Sequence, residues 1–425
     1  MNEILVHNNW DPLEEIWVGD VWPAHFYDDI EDSRVRDAFY QLTEWTKEDL
    51  NKLQKKFEEF GVTVRRPYVD GDKSLFIDKN PNNISYGKLL KPPITPRDHN
   101  AVIGDKLFFS DWNLMAAYRP LLDLYDGNKV FTGNRRAGYH YPYRGMSGAS
   151  TVKIGKDLIF DRFLAGDALV AKATPDQLKQ FTFLRFFDFA KLMLPFFEKD
   201  YRVQLAINGG HCDGCFMPVR PGLLLTTNYW SEYERSFPGW DKLHLNHPTY
   251  MTNQKGQSGN QRWRLSHLPS PNHFNEYLEA YCPEWIGNFT ETVFEANVVM
   301  IDEKNMVCNG VNEPFFKELE RRGVTPHVVP FRTRTFWDGG IHCITLDIRR
   351  KTTLQDYFPE RGDPGFKSVL DNGLFNHDFR RFMAEYDLWY KSQPEIYNKE
   401  SHEIDFNKFD HDKFKEIVEQ ILANK

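Results

Sequence analysis

Two short stretches of this chain carry residues whose types and spacing can do covalent chemistry. The first, NGGHCDGCF (208–216), sets a histidine beside a Cys-x-x-Cys pair and an aspartate between the two cysteines. A structural zinc site needs four ligands, ordinarily from two such pairs or from one pair and two histidines. Cys212 and Cys215 have no second pair, and Cys282 and Cys308 stand isolated in the sequence. A redox pair belongs at a helix start, where the dipole lowers the thiol pKa, whereas Cys215 leads straight into the apolar run FMPV. The remaining candidates are His211 and Asp213. They lie two positions apart at the entrance of an expected strand, where period-two alternation turns both side chains the same way.

The second stretch, FRTRTFWDGGIHCITLDIRR (331–350), has a glycine pair that lets the backbone turn tightly before His342 and Cys343. A cysteine opening a strand after such a loop is positioned as a nucleophile; the competing reading is a small buried apolar cysteine. His342 is expected to project away from Cys343 if the strand is regular, so the base must come from elsewhere. His211 is the candidate.

These residues need elements to hold them. A short apolar strand, a turn with Gly or Asp and a second apolar strand recur as NAVIGDKLFF (100–109), STVKIGKDLIF (150–160), FMPVRPGLLLTT (216–227) and NVVMIDEKNMVC (297–308), with CITLDI (343–348) as a last strand. Helix followed by strand recurs in LNKLQKKFEEFGVTVRRP (50–67) and FFKELERRGVTPHVVP (315–330), with a more apolar version at 184–207. In the first, Leu50, Leu53, Phe57 and Phe60 share a face, Thr46 is the expected cap and Gly61 suits the left-handed stop. The alternation implies an α/β assembly with internal pseudo-symmetry. A doubly wound nucleotide fold is excluded, because no GxGxxG or GxxxxGK[ST] follows any strand. We read residues 1–425 as one domain, with an amphipathic helix at about 410–424.

Composition narrows the function classes. The chain has 425 residues and a net charge of -8, from 61 acidic and 53 basic residues, which argues against nucleic acid or an anionic membrane as the main partner. There is no leader-like amino terminus or membrane-length apolar run, so a soluble, cytoplasmic protein is expected. Five cysteines are too few for a secreted disulfide framework.

The motifs as a set resemble the glycine and inosamine-phosphate type amidinotransferases of the guanidino-group-modifying (pentein) superfamily. The resemblance runs nearly end to end: NNWDPLEEIWVGD (8–20), PRDHNAVIGDKL (96–107), IGKDLIF (154–160), HCDGCF (211–216), NVVMIDEKNMV (297–307) and GGIHCITLDIRR (339–350). It implies a five-bladed, pseudo-symmetric α/β propeller of ββαβ units. It implies Cys343 as nucleophile, His211 as general acid/base, and Asp98 and Asp213 as the carboxylates that hold a guanidinium. L-arginine as amidino donor and an amine as acceptor are implied small-molecule substrates, with no metal or organic cofactor and, by family habit, a homodimer.

The chain departs from the family pattern at two places. Where the family has an aspartate orienting the catalytic histidine, alignment on GKD puts Ser150, which can accept a hydrogen bond but brings no charge. Asp157 and Asp161 are nearby in sequence. The arginine that holds the substrate carboxylate is missing after TTNYWSEYERSF (226–237); Arg332 and Arg334 are candidates for that clamp, against the alternative of surface charge. An arginine-type hydrolase and a guanidino-binding protein therefore stay open beside the transferase.

Overall fold

The structure is a computed structural model. It describes residues 1–79, 81, 86–110, 112–132, 147–161, 194–206, 211–226, 237–244, 268–282, 285, 296–310, 312–337, 339–366, 397–398 and 403–404. The expected helix at 410–424 lies outside the described residues, as do Asp338, residues 184–193 and most of the 226–265 segment.

In chain order the framework runs β1 (Leu13–Val18), α1 (Ser33–Glu59) and β2 (Thr63–Arg65). Next come α2 (Pro96–His99), β3 (Asn100–Ile103), β4 (Lys106–Phe109), α3 (Met115–Leu122) and β5 (Val130–Thr132). The third portion is β6 (Thr151–Ile154), β7 (Asp157–Asp161), α4 (Leu194–Phe197) and β8 (Arg202–Ala206), and the fourth is α5 (Cys212–Cys215), β9 (Phe216–Arg220), β10 (Leu223–Thr226) and β11 (Asp241–His244). The last holds α6 (Pro271–Tyr281), β12 (Val299–Met300), β13 (Asn305–Cys308), α7 (Glu313–Arg321), β14 (Thr325–Val328), α8 (Arg334–Trp337) and β15 (Thr345–Arg350).

Five sheets share one plan. In each, a middle strand pairs antiparallel with one neighbour and parallel with the other: β15-β1-β2, β3-β4-β5, β6-β7-β8, β9-β10-β11 and β12-β13-β14. The antiparallel step needs only a tight turn, whereas the parallel step needs a crossover, and α1 and α7 are two of those crossovers. This is the pseudo-symmetric α/β propeller of ββαβ units, its first unit closed by the far carboxyl-side strand β15. The hairpins are turned by Gly104, Gly155 and Gly222 at φ of +57°, +59° and +81°, where a side chain would be strained. In the β12–β13 turn the Asp302 carboxylate does the equivalent work, accepting from the backbone N–H of Lys304 and Asn305 at 2.7 and 2.9 Å. The amino-terminal segment then crosses the hairpin tips, with Leu5 bridged to Arg349, Val6 to Gly104 and Asn8 to Ile154.

Helix α1 begins well before the expected start. Asp32 is its cap, accepting from the Arg34 N–H at 3.0 Å. The buried stripe Val35, Ala38, Phe39 and Leu42 continues through Leu50, Leu53 and Phe57. Thr46, expected as the cap, sits mid-helix because its hydroxyl bonds back to the Leu42 carbonyl at 2.7 Å and leaves the helical backbone intact. The helix stops at Gly61, φ +78°, as expected. Among the described residues no helix is long and apolar enough to cross a membrane.

Candidate functional site

Three short irregular pieces, each feeding a strand, meet at one place. Helix α2, a single turn with Pro96 at its first position, carries Arg97 and Asp98 into β3. Helix α5 carries Asp213, with His211 at its N-cap, into β9. The turn 341–344 carries His342 and Cys343 into β15. Backbone hydrogen bonds stitch them: Arg97 N to the Cys343 carbonyl at 3.4 Å, Gly148 N to the Arg97 carbonyl at 2.9 Å, and Asp213 N to the Ala149 carbonyl at 3.1 Å.

Two sequence expectations need correction. His211 and Asp213 are not in a strand; a one-turn helix intervenes, and Cys212 stands at its first position rather than ahead of a strand. His342 does not project away from Cys343, because 341–344 is a tight turn and not regular strand. Its Nδ1 lies 2.7 Å from Asp213 Oδ2, and that same oxygen is 3.5 Å from Cys343 Sγ.

The electrostatics follow from burial. His342 is held neutral near pH 7: burial and the Arg97 guanidinium outweigh Asp213 and bring its pKa down to about 4. Burial works to raise the Asp213 carboxyl, but the His342 hydrogen bond, with His211 and Arg97 nearby, holds it below the ordinary aspartate value. Asp98 goes the other way. Burial, with Asp213 adding to it, pushes its carboxyl up against the opposing pull of His211 and His99. His211 Nδ1 is 3.8 Å from Asp98 Oδ1, and the imidazole is 30 % exposed. Asp98 Oδ1 and Asp213 Oδ1 are both buried and accept no hydrogen bond among the described residues. Two sealed carboxylate oxygens without donors are costly unless a ligand supplies them.

Beneath the site lies a buried network. Arg97 Nε donates to the carbonyls of His342 and Thr345 at 2.8 and 3.0 Å, and Nη2 pairs with Asp347 at 2.5 Å. Arg350 and Lys153 approach the other Asp347 oxygen at 3.0 and 3.8 Å. Desolvation with Arg97 and Arg350 nearby, opposed by Asp347, brings Lys153 down to about 8.

The other candidates are placed as follows. Ser150 precedes β6, its N–H bonded to the Ser147 carbonyl at 3.2 Å, and no hydrogen bond joins its side chain to His211 among the described residues. Asp157 is taken up by Arg202, Gln204 and Arg361; the Asp161 side chain lies outside the described residues. Arg332 is engaged by Asp49 and Glu48, at 2.9 and 2.6 Å, and its side chain packs over Trp45. Arg334 donates to the Asn309 carbonyl at 2.7 Å. Sequence reasoning missed Asn297. It is fully buried, its Oδ1 accepts from Cys343 N at 3.0 Å, and its Nδ2 lies 3.0 Å from Cys343 Sγ. Its only sequence signal is its place at the head of the NVVMIDEKNMVC hairpin.

No protein-family model matches the chain. The L-arginine:L-lysine amidinotransferase of Pseudomonas savastanoi pv. phaseolicola is 26% identical over 170 residues, a match spanning 37% of this chain and 36% of that relative. The mitochondrial glycine amidinotransferase of Danio rerio is 25% identical over 392 residues, 84% of this chain and 85% of its own. Among solved structures, an amidinotransferase of saxitoxin biosynthesis from Microseira wollei is similar with a TM-score of 0.55 at 23% identity, covering 84% of this chain and 99% of that one. The inosamine-phosphate amidinotransferase of Streptomyces griseus gives 0.54 at 21% identity over 83% and 99%. The chain is similar to amidinotransferases over most of its length, and it shares the five-unit α/β fold of the two solved structures.

Proposed function

We propose that this protein moves the amidino group of L-arginine to an amine acceptor through a covalent intermediate on Cys343. The observation that carries the reading is the pair of buried oxygens, Asp98 Oδ1 and Asp213 Oδ1, that accept no hydrogen bond among the described residues, at a site that also contains Cys343. A guanidinium offers planar, charge-assisted N–H donors that suit two fixed carboxylates. Its central carbon is a poor electrophile, so it must be held rigidly with a sulphur nucleophile against its face.

Cys343 Sγ lies 3.5 Å from Asp213 Oδ2, close enough for the thiol to donate to it. A bound cation between the carboxylates neutralises them and favours the thiolate, which attacks the guanidinium carbon. The bond from that carbon to the leaving nitrogen breaks as His211 gives that nitrogen a proton, releasing ornithine and leaving amidino-cysteine. The acceptor amine then loses a proton to His211, attacks the same carbon and displaces the sulphur. With Ser150 unbonded to it, His211 has Asp98 as its nearest described carboxylate. Asp98 is therefore assigned both guanidinium binding and orientation of the histidine. Arg332 is held by two carboxylates, which weighs against it as the clamp for the carboxylate end of arginine; Arg334 is the other candidate.

Incubation with arginine and a panel of amines tests the reading. Ornithine formed only with an amine present, and an amidino mass gain lost in Cys343→Ser, are the expected results. Citrulline formed in plain buffer would make the protein a hydrolase, and an adduct that persists in Cys343→Ser would remove the nucleophile.

A further inference from the structure

We infer that Asn297 is a catalytic residue that holds and stabilises the Cys343 thiolate by donating an amide N–H to its sulphur. The inference rests on Cys343 being the reacting group and adds the residue that readies it. Which way the amide faces follows from chemistry. A backbone N–H can only donate, so the atom 3.0 Å from Cys343 N must be the carbonyl oxygen, Oδ1. The amino group is then the atom 3.0 Å from Sγ, with a weaker contact to the Asp213 carbonyl at 3.4 Å.

A third contact closes the clamp, from His342 N to the Asn297 backbone carbonyl at 3.4 Å. Room for it is made by Gly340, where an added Cβ would lie 2.5 Å from Asn297 Oδ1. An asparagine needed only for packing has no reason to spend a donor on sulphur. A thiol is a weak acceptor and a thiolate a strong one, so this hydrogen bond is worth more in the ionised form. Asp213 Oδ2, 3.5 Å from the same sulphur, opposes ionisation until a cation binds. The amide donor works against that opposition before substrate arrives. Ionisation sends the thiol proton to solvent, and the amide N–H stays on the sulphur.

The test is the pH dependence of iodoacetamide alkylation, followed at the Cys343 peptide by mass spectrometry on the full chain. Asn297→Asp keeps an oxygen to accept from Cys343 N and removes the donor. Asn297→Ser removes the donor without adding charge, its hydroxyl standing one bond short of the amide group. The expected result in each variant that keeps a cooperative thermal transition is a midpoint raised by about one pH unit. An unmoved midpoint in either folded variant overturns the assignment, even if turnover falls. Alkylation needs no arginine, so a raised midpoint in a chain that never transfers an amidino group would retain the Asn297 role and sink the reaction proposed above.

Discussion

The Asp213 carboxylate and the His342 imidazole meet at 2.7 Å in the interior, 129 positions apart in the chain, and the contacting oxygen also faces the Cys343 thiol. Because His342 stays neutral, its Nδ1–H is free to donate, and that bond holds one Asp213 oxygen while the other is left open. The pair carries a stability prediction. The folded His342 pKa is about 4 against an ordinary 6.5, so between those values the unfolded chain binds a proton that the folded chain does not. Stability should therefore fall as pH drops from 6.5 to 4, with this residue contributing on the order of 3 kcal/mol. Urea denaturation across that window checks it, with His342→Gln expected to have a flatter profile than the wild type.

In the proposed role, Asp98 should set a pH dependence for substrate. Its carboxyl is pushed up by burial, so it takes a proton at a higher pH than an exposed aspartate does. On the proposed reading, arginine needs the charged form. The kcat/KM for arginine should fall on the acid side, from a limb above the ordinary aspartate range. In Asp98→Asn that limb should disappear and kcat/KM at neutral pH drop by about 100-fold, the loss of one charge-assisted contact. A profile retaining the limb in the variant would move the assignment elsewhere.

Ser150 should matter little. Its side chain makes no bond to His211 among the described residues, while Asp98 stands 3.8 Å from that ring. Ser150→Ala is expected to leave the pH profile of turnover within a few tenths of a unit. A marked shift would restore the orienting role that the family pattern gives this position.

What could be read in advance, and what could not, follows from the range of the forces involved. Hairpins were legible because their turns are local: Gly104, Gly155 and Gly222 need positive φ whatever surrounds them. The start of α1 was not. Thr46 is a good cap by type, and it sits inside the helix because its hydroxyl also meets Thr333 and Trp337, nearly 300 positions later. His342 was misdirected by assuming a regular strand where a turn stands. Asn297 has no motif of its own; its meaning comes from Cys343, 46 positions on. Arg332 looked available because its partners, Glu48 and Asp49, lie on a helix far away in sequence.

Arg97 should prove to be the support of the turn that carries Cys343. Its Nε donates to two carbonyls flanking Cys343, and its Nη2 meets Asp347 in a buried pair. Arg97→Met would remove one donor from each of those carbonyls, the His342 carbonyl keeping Thr345 N at 3.2 Å, and Asp347 would keep Arg350 at 3.0 Å and Lys153 at 3.8 Å. Breaking such a pair ordinarily costs about 3 kcal/mol or more, and the two remaining partners put this case at the lower end. Chemical denaturation should show that loss, with turnover reduced even at temperatures where the variant is fully folded. Arg97→Lys keeps the charge and loses the fork, so it should recover part of the stability and little of the rate. If the two variants instead lost rate in proportion to stability, Arg97 would be a structural residue with no separate hold on Cys343.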